Sequence, residues 1–171
     1  MGHVRAVLSD DIHAPETISA LTVSPGKEYK LGPQQTLVTL RSTDLGVAFL
    51  IEDHGFLIYH AGDLNDWVWE EESDSYNVQM TADYRSQMQL LRETLAGREI
   101  DTAFVVLDPR QEKDYDRGLC WFLENIAVKC VFPMHYWGKP DIIEKFLAEH
   151  PEYNAKIMKT EETCQQERSS L

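Results

Sequence analysis

The sequence predicts an α/β protein, and three features of the chain support that fold class. After residue 76, segments with helical periodicity alternate with short buried strands, the order typical of α/β domains. Before residue 76, short strands follow one another, separated by turns rich in Pro, Gly and Asp. Predicted strands at 56–59, 100–107 and 128–132 each run into polar residues, where open α/β sheets place ligand-binding loops.

Length and composition restrict the class of protein. With 171 residues, we expect one domain at 1–160 and a polar tail at 161–171. The net charge of −13 argues against a surface that binds nucleic acid or anionic membranes nonspecifically, since such a surface needs patches of Lys and Arg. The longest apolar run has six residues, too short for a membrane span, and no signal-peptide pattern is visible. Cys120, Cys130 and Cys164 form neither a disulfide framework nor a zinc ribbon, which favours the cytoplasm.

A predicted β-hairpin is the central feature of the chain. Residues 47–51 are apolar throughout, which indicates a strand buried on both faces, and 53–55 supply a turn before the return strand at 56–59. The return strand leads into Gly62, which permits a sharp bend, and then into Asp63. Asp63 is therefore a candidate metal ligand or base, and capping of the next turn is the alternative.

The remaining elements follow from periodicity and turn residues. The most regular helix is predicted at 77–97, with Val78 among the residues of its apolar face. The other predictions are helices at 114–125 and 141–150 and strands at 4–9, 18–23, 27–31, 35–41 and 153–158.

Polar and aromatic residues near the predicted strand ends are further candidates. Asp108 and Arg110 follow the strand at 100–107, and they either contact substrate or support a metal site, or form a salt-bridged structural loop. Trp67 and Trp69 either wall a pocket or pack in the core. His135 follows the strand at 128–132 and precedes a predicted helix, a context that favours a ligand over a structural histidine.

Three sequence motifs together resemble the metallo-β-lactamase superfamily, in particular its broad branch of metal-dependent hydrolases. The resemblance covers about residues 4–157 and implies a partial αββα sandwich with mixed sheets. The motifs that carry it are Ser42-Thr43-Asp44-x-Gly46-Val47-x-Phe49-Leu50, Ile58-Tyr59-His60-Ala61-Gly62-Asp63-Leu64-Asn65 and Pro133-Met134-His135-Tyr136-Trp137.

The resemblance also implies a site. Asp63 matches the aspartate that bridges two divalent ions, and His135 matches the late histidine that binds one of them. Asp44 either binds metal or orients a neighbouring ligand. The implied ion is zinc, with manganese as the alternative. We expect an unidentified small-molecule substrate to be contacted by residues around the metal: His60, Asp108, Arg110 and Trp137.

The main metal-binding signature of that superfamily, His-x-His-x-Asp-His, does not occur in the sequence. The resemblance therefore implies the second half of the sandwich plus a little of the first. One hypothesis is a metal-dependent hydrolase that needs a complementing N-terminal segment. The other is a catalytically inactive, truncated member, either an interaction module or a non-functional fragment. For the chain alone we expect weak metal binding and self-association.

Overall fold

The computed structural model describes residues 6–13 and 18–159, and it confirms the α/β class with a mixed sheet. The main sheet has six strands in chain order. Its first four strands form an antiparallel meander, and the last three strands are parallel to one another. The strands are β3 (Glu28–Gly32), β4 (Gln35–Arg41), β5 (Val47–Asp53), β6 (Phe56–His60), β7 (Ile100–Val106) and β8 (Val128–Met134).

The predicted hairpin is present as β5 and β6. Its turn has His54 and Gly55 at φ of 52° and 86°, the left-handed conformation that tight hairpin turns require. Burial of β5 on both faces is only partly correct. Leu50 is buried, whereas Phe49 and Ile51 on the opposite face are partly exposed.

Three helices follow: α1 (Asp74–Leu95), α2 (Arg117–Asn125) and α3 (Asp141–Glu149). The first begins three residues earlier than predicted, because the Ser73 side chain accepts a hydrogen bond from the Tyr76 N–H at 3.2 Å. Placing Val78 on the apolar face was wrong, since Val78 is 69% exposed. The second begins three residues later than predicted, because Pro109–Asp114 form a 3-10 helix kinked at Glu112.

The main core lies between the helices and one face of the sheet. Tyr59 of β6 stacks on Phe122 of α2, with ring centroids 5.4 Å apart. Fully or almost fully buried side chains from α1, α2 and α3 join the same cluster as alternate residues of the strands, among them Leu50, Leu57, Ala103, Val131, Met88, Leu91, Leu119 and Phe146.

The opposite face of the sheet is covered unevenly. A parallel pair, β1 (Ala6–Ser9) and β2 (Ala20–Val23), contributes to a small cluster with Leu37 and Val47 from the β4–β5 region. Towards β8, the residues on this face are partly or largely exposed. There Phe104 stacks on Phe132 with ring centroids 5.4 Å apart, and the His60 ring lies tilted against Phe104 at 5.6 Å. We call Ile58, His60, Phe104 and Phe132 the open face.

Two predictions about strands are corrected. The strands predicted at 18–23 and 27–31 are present, but they lie in different sheets although they follow one another in the chain, because β2 pairs with β1 and β3 pairs with β4. The strand predicted at 153–158 is a 3-10 helix, Pro151–Tyr153, followed by a single bridge between Ile157 and Val131. The Lys156 and Ile157 N–H groups donate to the Tyr153 carbonyl at 2.9 and 3.1 Å, so the chain forms a turn there and meets β8 only around Ile157.

Among the described residues, no helix combines the length and apolarity needed to cross a membrane. The predicted tail at 161–171 and Cys164 lie outside the described residues.

Candidate functional site

The sheet topology brings the predicted site residues to one edge. Because β4 and β6 are both antiparallel to β5, the strands β4, β6, β7 and β8 all run in the same direction. Their carboxyl ends therefore meet at one edge, the usual position of ligand sites in open α/β sheets. The residues that follow these ends are Asp44, Asp63, Asp108 and His135.

Asp63 and His135 lie in direct contact. The Asp63 Oδ1 and His135 Nε2 atoms are 3.1 Å apart, and both side chains are only partly exposed. Two ligands of one tetrahedral zinc ion, each bonded at about 2.0–2.1 Å, have their donor atoms roughly 3.3–3.4 Å apart. The observed separation is about 0.2–0.3 Å shorter than that, so a small opening of the pair would accommodate a shared ion.

His135 itself is held in an unusual conformation. Its φ is 68°, and Trp137 two residues later has φ of 51°, both in the left-handed region that residues other than glycine seldom occupy. Its other ring nitrogen, Nδ1, is buried without a hydrogen-bond partner. Strained backbone and an unpartnered buried polar atom both concentrate at functional sites.

The loop that carries Asp63 is fixed by close backbone contacts. Gly62 has φ of 56°, and a Cβ atom at this position would lie 2.8 Å from the Val47 carbonyl oxygen. The Gly62 N–H donates to His60 Nδ1 at 3.0 Å, and the Trp67 indole N–H donates to the Asp63 carbonyl at 2.9 Å. These contacts fix the direction in which Asp63 leaves β6.

Buried polar residues hold the same loop from below. Asp66 is fully buried, and its carboxylate accepts a hydrogen bond from Thr81 at 2.6 Å and longer ones from Arg85 and Arg117 at 3.4 Å each. The Gln111 side chain donates to the Asp66 carbonyl at 3.0 Å. Buried polar groups with these partners make the loop part of the rigid core.

Thr43 ties the Ser42–Asp44 loop to the same region. Its hydroxyl donates to the Asn65 carbonyl at 2.7 Å and accepts from the Asn65 N–H at 3.0 Å. Asp44 is exposed, and its N–H donates to Ser42 Oγ at 3.1 Å. Asp44 is therefore positioned at the edge of the site.

Asp108, Arg110 and Trp137 form a second cluster at this edge. The Asp108 carboxylate is buried and accepts from Arg110 Nε at 2.9 Å and from the Trp137 indole N–H at 3.0 Å. The Arg110 guanidinium lies 4.4 Å from the centre of the Trp137 ring, a cation–π contact. Burial raises the pKa of Asp108, but the hydrogen bonds from Arg110 and Trp137 outweigh it and keep that pKa below its usual range.

Charges across the site influence one another. The pKa of Arg110 is raised chiefly by Asp108, and the carboxylates of Asp44 and Asp63 raise it further. The pKa of His60 is lowered, first by burial and then by His135. The seven predicted site residues are thus linked by direct contacts or by charge, whereas their functional roles remain predictions.

The set of metal ligands at this edge is small. In the part of the chain that the structure describes, no third His, Cys, Asp or Glu atom joins Asp63 and His135 within 4.8 Å.

The sequence did not predict a role for Asp66 and Gln111, because nothing local in the sequence distinguishes a buried carboxylate from an exposed one. Packing in the core is the alternative that holds for Trp67, which is buried and stacks at 5.5 Å on the partly exposed Trp69.

The fold and site thus define a mixed α/β protein with an Asp–His pair at the carboxyl edge of its sheet. No protein-family model and no curated protein sequence matches the chain. A solved structure from Thermotoga maritima, described as a Zn-dependent hydrolase of the metallo-β-lactamase superfamily, is 17% identical with a TM-score of 0.45. That alignment covers 85% of this chain and 72% of the other.

A second solved structure, Zn²⁺-bound PqqB from Methylobacterium extorquens, is 13% identical with a TM-score of 0.39. That alignment covers 69% of this chain and 41% of PqqB. Sequence identities and TM-scores as low as these do not assign an activity to this chain.

Proposed function

We propose that the Asp63–His135 pair is part of the metal site of a metallo-β-lactamase-type hydrolase. The observation that carries this proposal is the 3.1 Å contact between Asp63 Oδ1 and His135 Nε2 at the carboxyl edge of the sheet. A carboxylate and an imidazole are suitable ligands for zinc, and they also suit manganese. The substrate is left unassigned.

Two ligands do not complete such a site. We therefore propose that a segment bearing the His-x-His-x-Asp-His signature, acting in cis or in trans, supplies the remaining metal ligands. Bound divalent ions would lower the pKa of a water molecule so that hydroxide forms at neutral pH. The chain's own residues would hold the ions through Asp63 and His135, while Arg110, fixed by Asp108, presents a positive charge at the same edge of the sheet.

The second candidate is an inactive interaction module. It is favoured by the ligand count, because the described residues supply only two ligand side chains at this edge. Zinc sites ordinarily use three or four protein ligands.

Manganese titration of the full chain tests the first candidate, because Mn²⁺ prefers oxygen and imidazole ligands to thiolates. Alone, the chain should bind Mn²⁺ weakly. Co-expression with the N-terminal segment of a related full-length hydrolase should strengthen binding by about tenfold or more and produce phosphodiesterase or lactonase turnover. The gain should disappear in Asp63→Asn and His135→Ala but persist in His54→Ala, a control histidine in the exposed hairpin turn.

Two results would count against this proposal. If the segment binds the chain but neither strengthens Mn²⁺ binding nor produces turnover, the chain is better described as an inactive interaction module. If the chain alone binds Mn²⁺ tightly through Asp63 and His135, the missing-ligand part of the proposal is wrong.

A further inference from the structure

A second group of metal-binding side chains lies where α2 begins and α3 ends. Asp116 immediately precedes α2, Cys120 lies one turn further along α2, and His150 immediately follows α3. One ligand atom from each of them falls within 4.8 Å of the other two. All three residues are partly exposed, so an ion can reach them from solvent.

The distances within this group resemble those of a zinc site. His150 Nε2 is 2.8 Å from Asp116 Oδ2 and 3.6 Å from Cys120 Sγ, and the sulfur is 3.8 Å from the same carboxylate oxygen. Around tetrahedral zinc, with bonds of about 2.0–2.3 Å, donor atoms are roughly 3.3–3.6 Å apart. For all three atoms to coordinate one ion, the His–Asp distance must open by about half an ångström and the sulfur–carboxylate distance must close by about 0.2 Å.

We propose that Asp116, Cys120 and His150 bind one Zn²⁺ ion, with water in the fourth position, and that this ion joins the start of α2 to the end of α3. The site shares no residue with the Asp63–His135 pair. It does not depend on the function proposed above.

The surroundings of the cluster favour a cation. Glu152 places a carboxylate oxygen 3.8 Å from His150 Nδ1, on the side of the ring away from the proposed ion. At 3.8 Å this is an electrostatic contact rather than a hydrogen bond, and it becomes the usual orienting contact of a metal-bound histidine when Glu152 moves closer by about 1 Å.

Binding has a simple chemical balance. The Cys120 S–H bond breaks, a zinc–sulfur bond forms, and the thiol proton passes to solvent, with no change in oxidation state. The His150 Nε2–H that now faces Asp116 is also given up to solvent, and Nδ1, on the Glu152 side, takes up a proton in its place, so that the imidazole stays neutral and Nε2 coordinates the ion. The two elements are already held together near this point. The Tyr115 hydroxyl donates to the Glu149 carboxylate, and the Lys145 ammonium lies 3.6 Å from the centre of the Tyr115 ring. Little rearrangement is therefore needed when the ion binds.

Cobalt substitution tests the proposal directly, since Co²⁺ bound to a thiolate gives a sulfur-to-metal charge-transfer band that oxygen and nitrogen ligands do not give. The full chain should show this band, and one equivalent of Zn²⁺ should remove it. The band should be lost in Cys120→Ser and weakened in Asp116→Asn and His150→Gln. In Glu152→Gln, affinity should fall roughly tenfold, as for other residues that orient a metal-bound histidine.

Controls separate this site from other thiols and from the sheet edge. A Cys130→Ser/Cys164→Ser double variant leaves Cys120 as the single thiol in the sequence and should keep the band. Asp63→Asn should also keep it. Circular dichroism without metal verifies that each variant is folded. Absence of the band in the full chain, its persistence in Cys120→Ser, or its loss in the double variant would each overturn the proposal.

Discussion

Gly62 determines, at the scale of single residues, how the chain leaves β6 and where Asp63 lies. We predict that Gly62→Ala destabilises the fold by more than the usual 1–2 kcal/mol of a left-handed alanine, because its Cβ would also meet the Val47 carbonyl at 2.8 Å. Gly55→Ala is the matched control, with φ of 86° but no atom within 4 Å of the added Cβ. Urea unfolding of both variants measures the difference, and equal losses would contradict the close-contact argument.

His60 gives a prediction about pH. Its lowered pKa means that the folded protein takes up this proton less readily than the unfolded chain does. The free energy of unfolding should therefore fall as the pH drops below about 6.5, the ordinary histidine value, and should be unaffected by His60 above it. Protonation also removes the acceptor for the Gly62 N–H.

The measurement is urea unfolding across this pH range, with NMR of the Gly62 amide as a local probe. His60→Asn keeps an acceptor in place of Nδ1 but does not titrate, so it should lose this part of the pH dependence. An unchanged pH profile in that variant would show that another group is responsible.

At the scale of elements, the segment after β6 is held by α1 and α2 through Asp66. We predict that Asp66→Asn lowers the free energy of unfolding by about 1–3 kcal/mol, because a buried carboxylate with three donors is replaced by an amide that cannot satisfy them all. Asp83→Asn, an exposed position on α1, should change it by less than about 0.5 kcal/mol. Comparable losses in the two variants would refute this role of Asp66.

How far the elements could be predicted depends on the range of the interactions that define them. The hairpin, the parallel strands and the grouping of polar residues at their ends follow from alternation and turn residues, which are local signals. The start of α1 was missed because the Ser73 cap lies outside its apolar repeat. Pairing of β2 with β1 and the role of Asp66 depend on contacts between distant residues, which no local pattern reports.

At the scale of the whole molecule, the open face predicts self-association. Phe104 and Phe132 lie side by side on a face where the described residues leave them partly exposed. Apolar patches of this kind drive association. We expect the chain to form concentration-dependent oligomers, and Phe104→Thr with Phe132→Thr to weaken association by about tenfold or more, because each phenylalanine buried contributes roughly 1.5–3 kcal/mol.

Light scattering coupled to size exclusion measures this association. Phe56→Thr, which removes a phenylalanine that is 48% exposed outside the open face, is the control and should leave the oligomers unchanged. A monomer at all concentrations would exclude the open face as an association surface.

The parallel order of β6, β7 and β8 also has a consequence for folding kinetics. The residues at the sheet edge come from β4 to β8, so the site exists only after strands far apart in the chain have paired. Parallel pairing between distant segments is slow, because loop closure precedes the contacts that stabilise it. Trp137, whose indole bonds to Asp108, should therefore reach its native fluorescence only in the final phase of refolding.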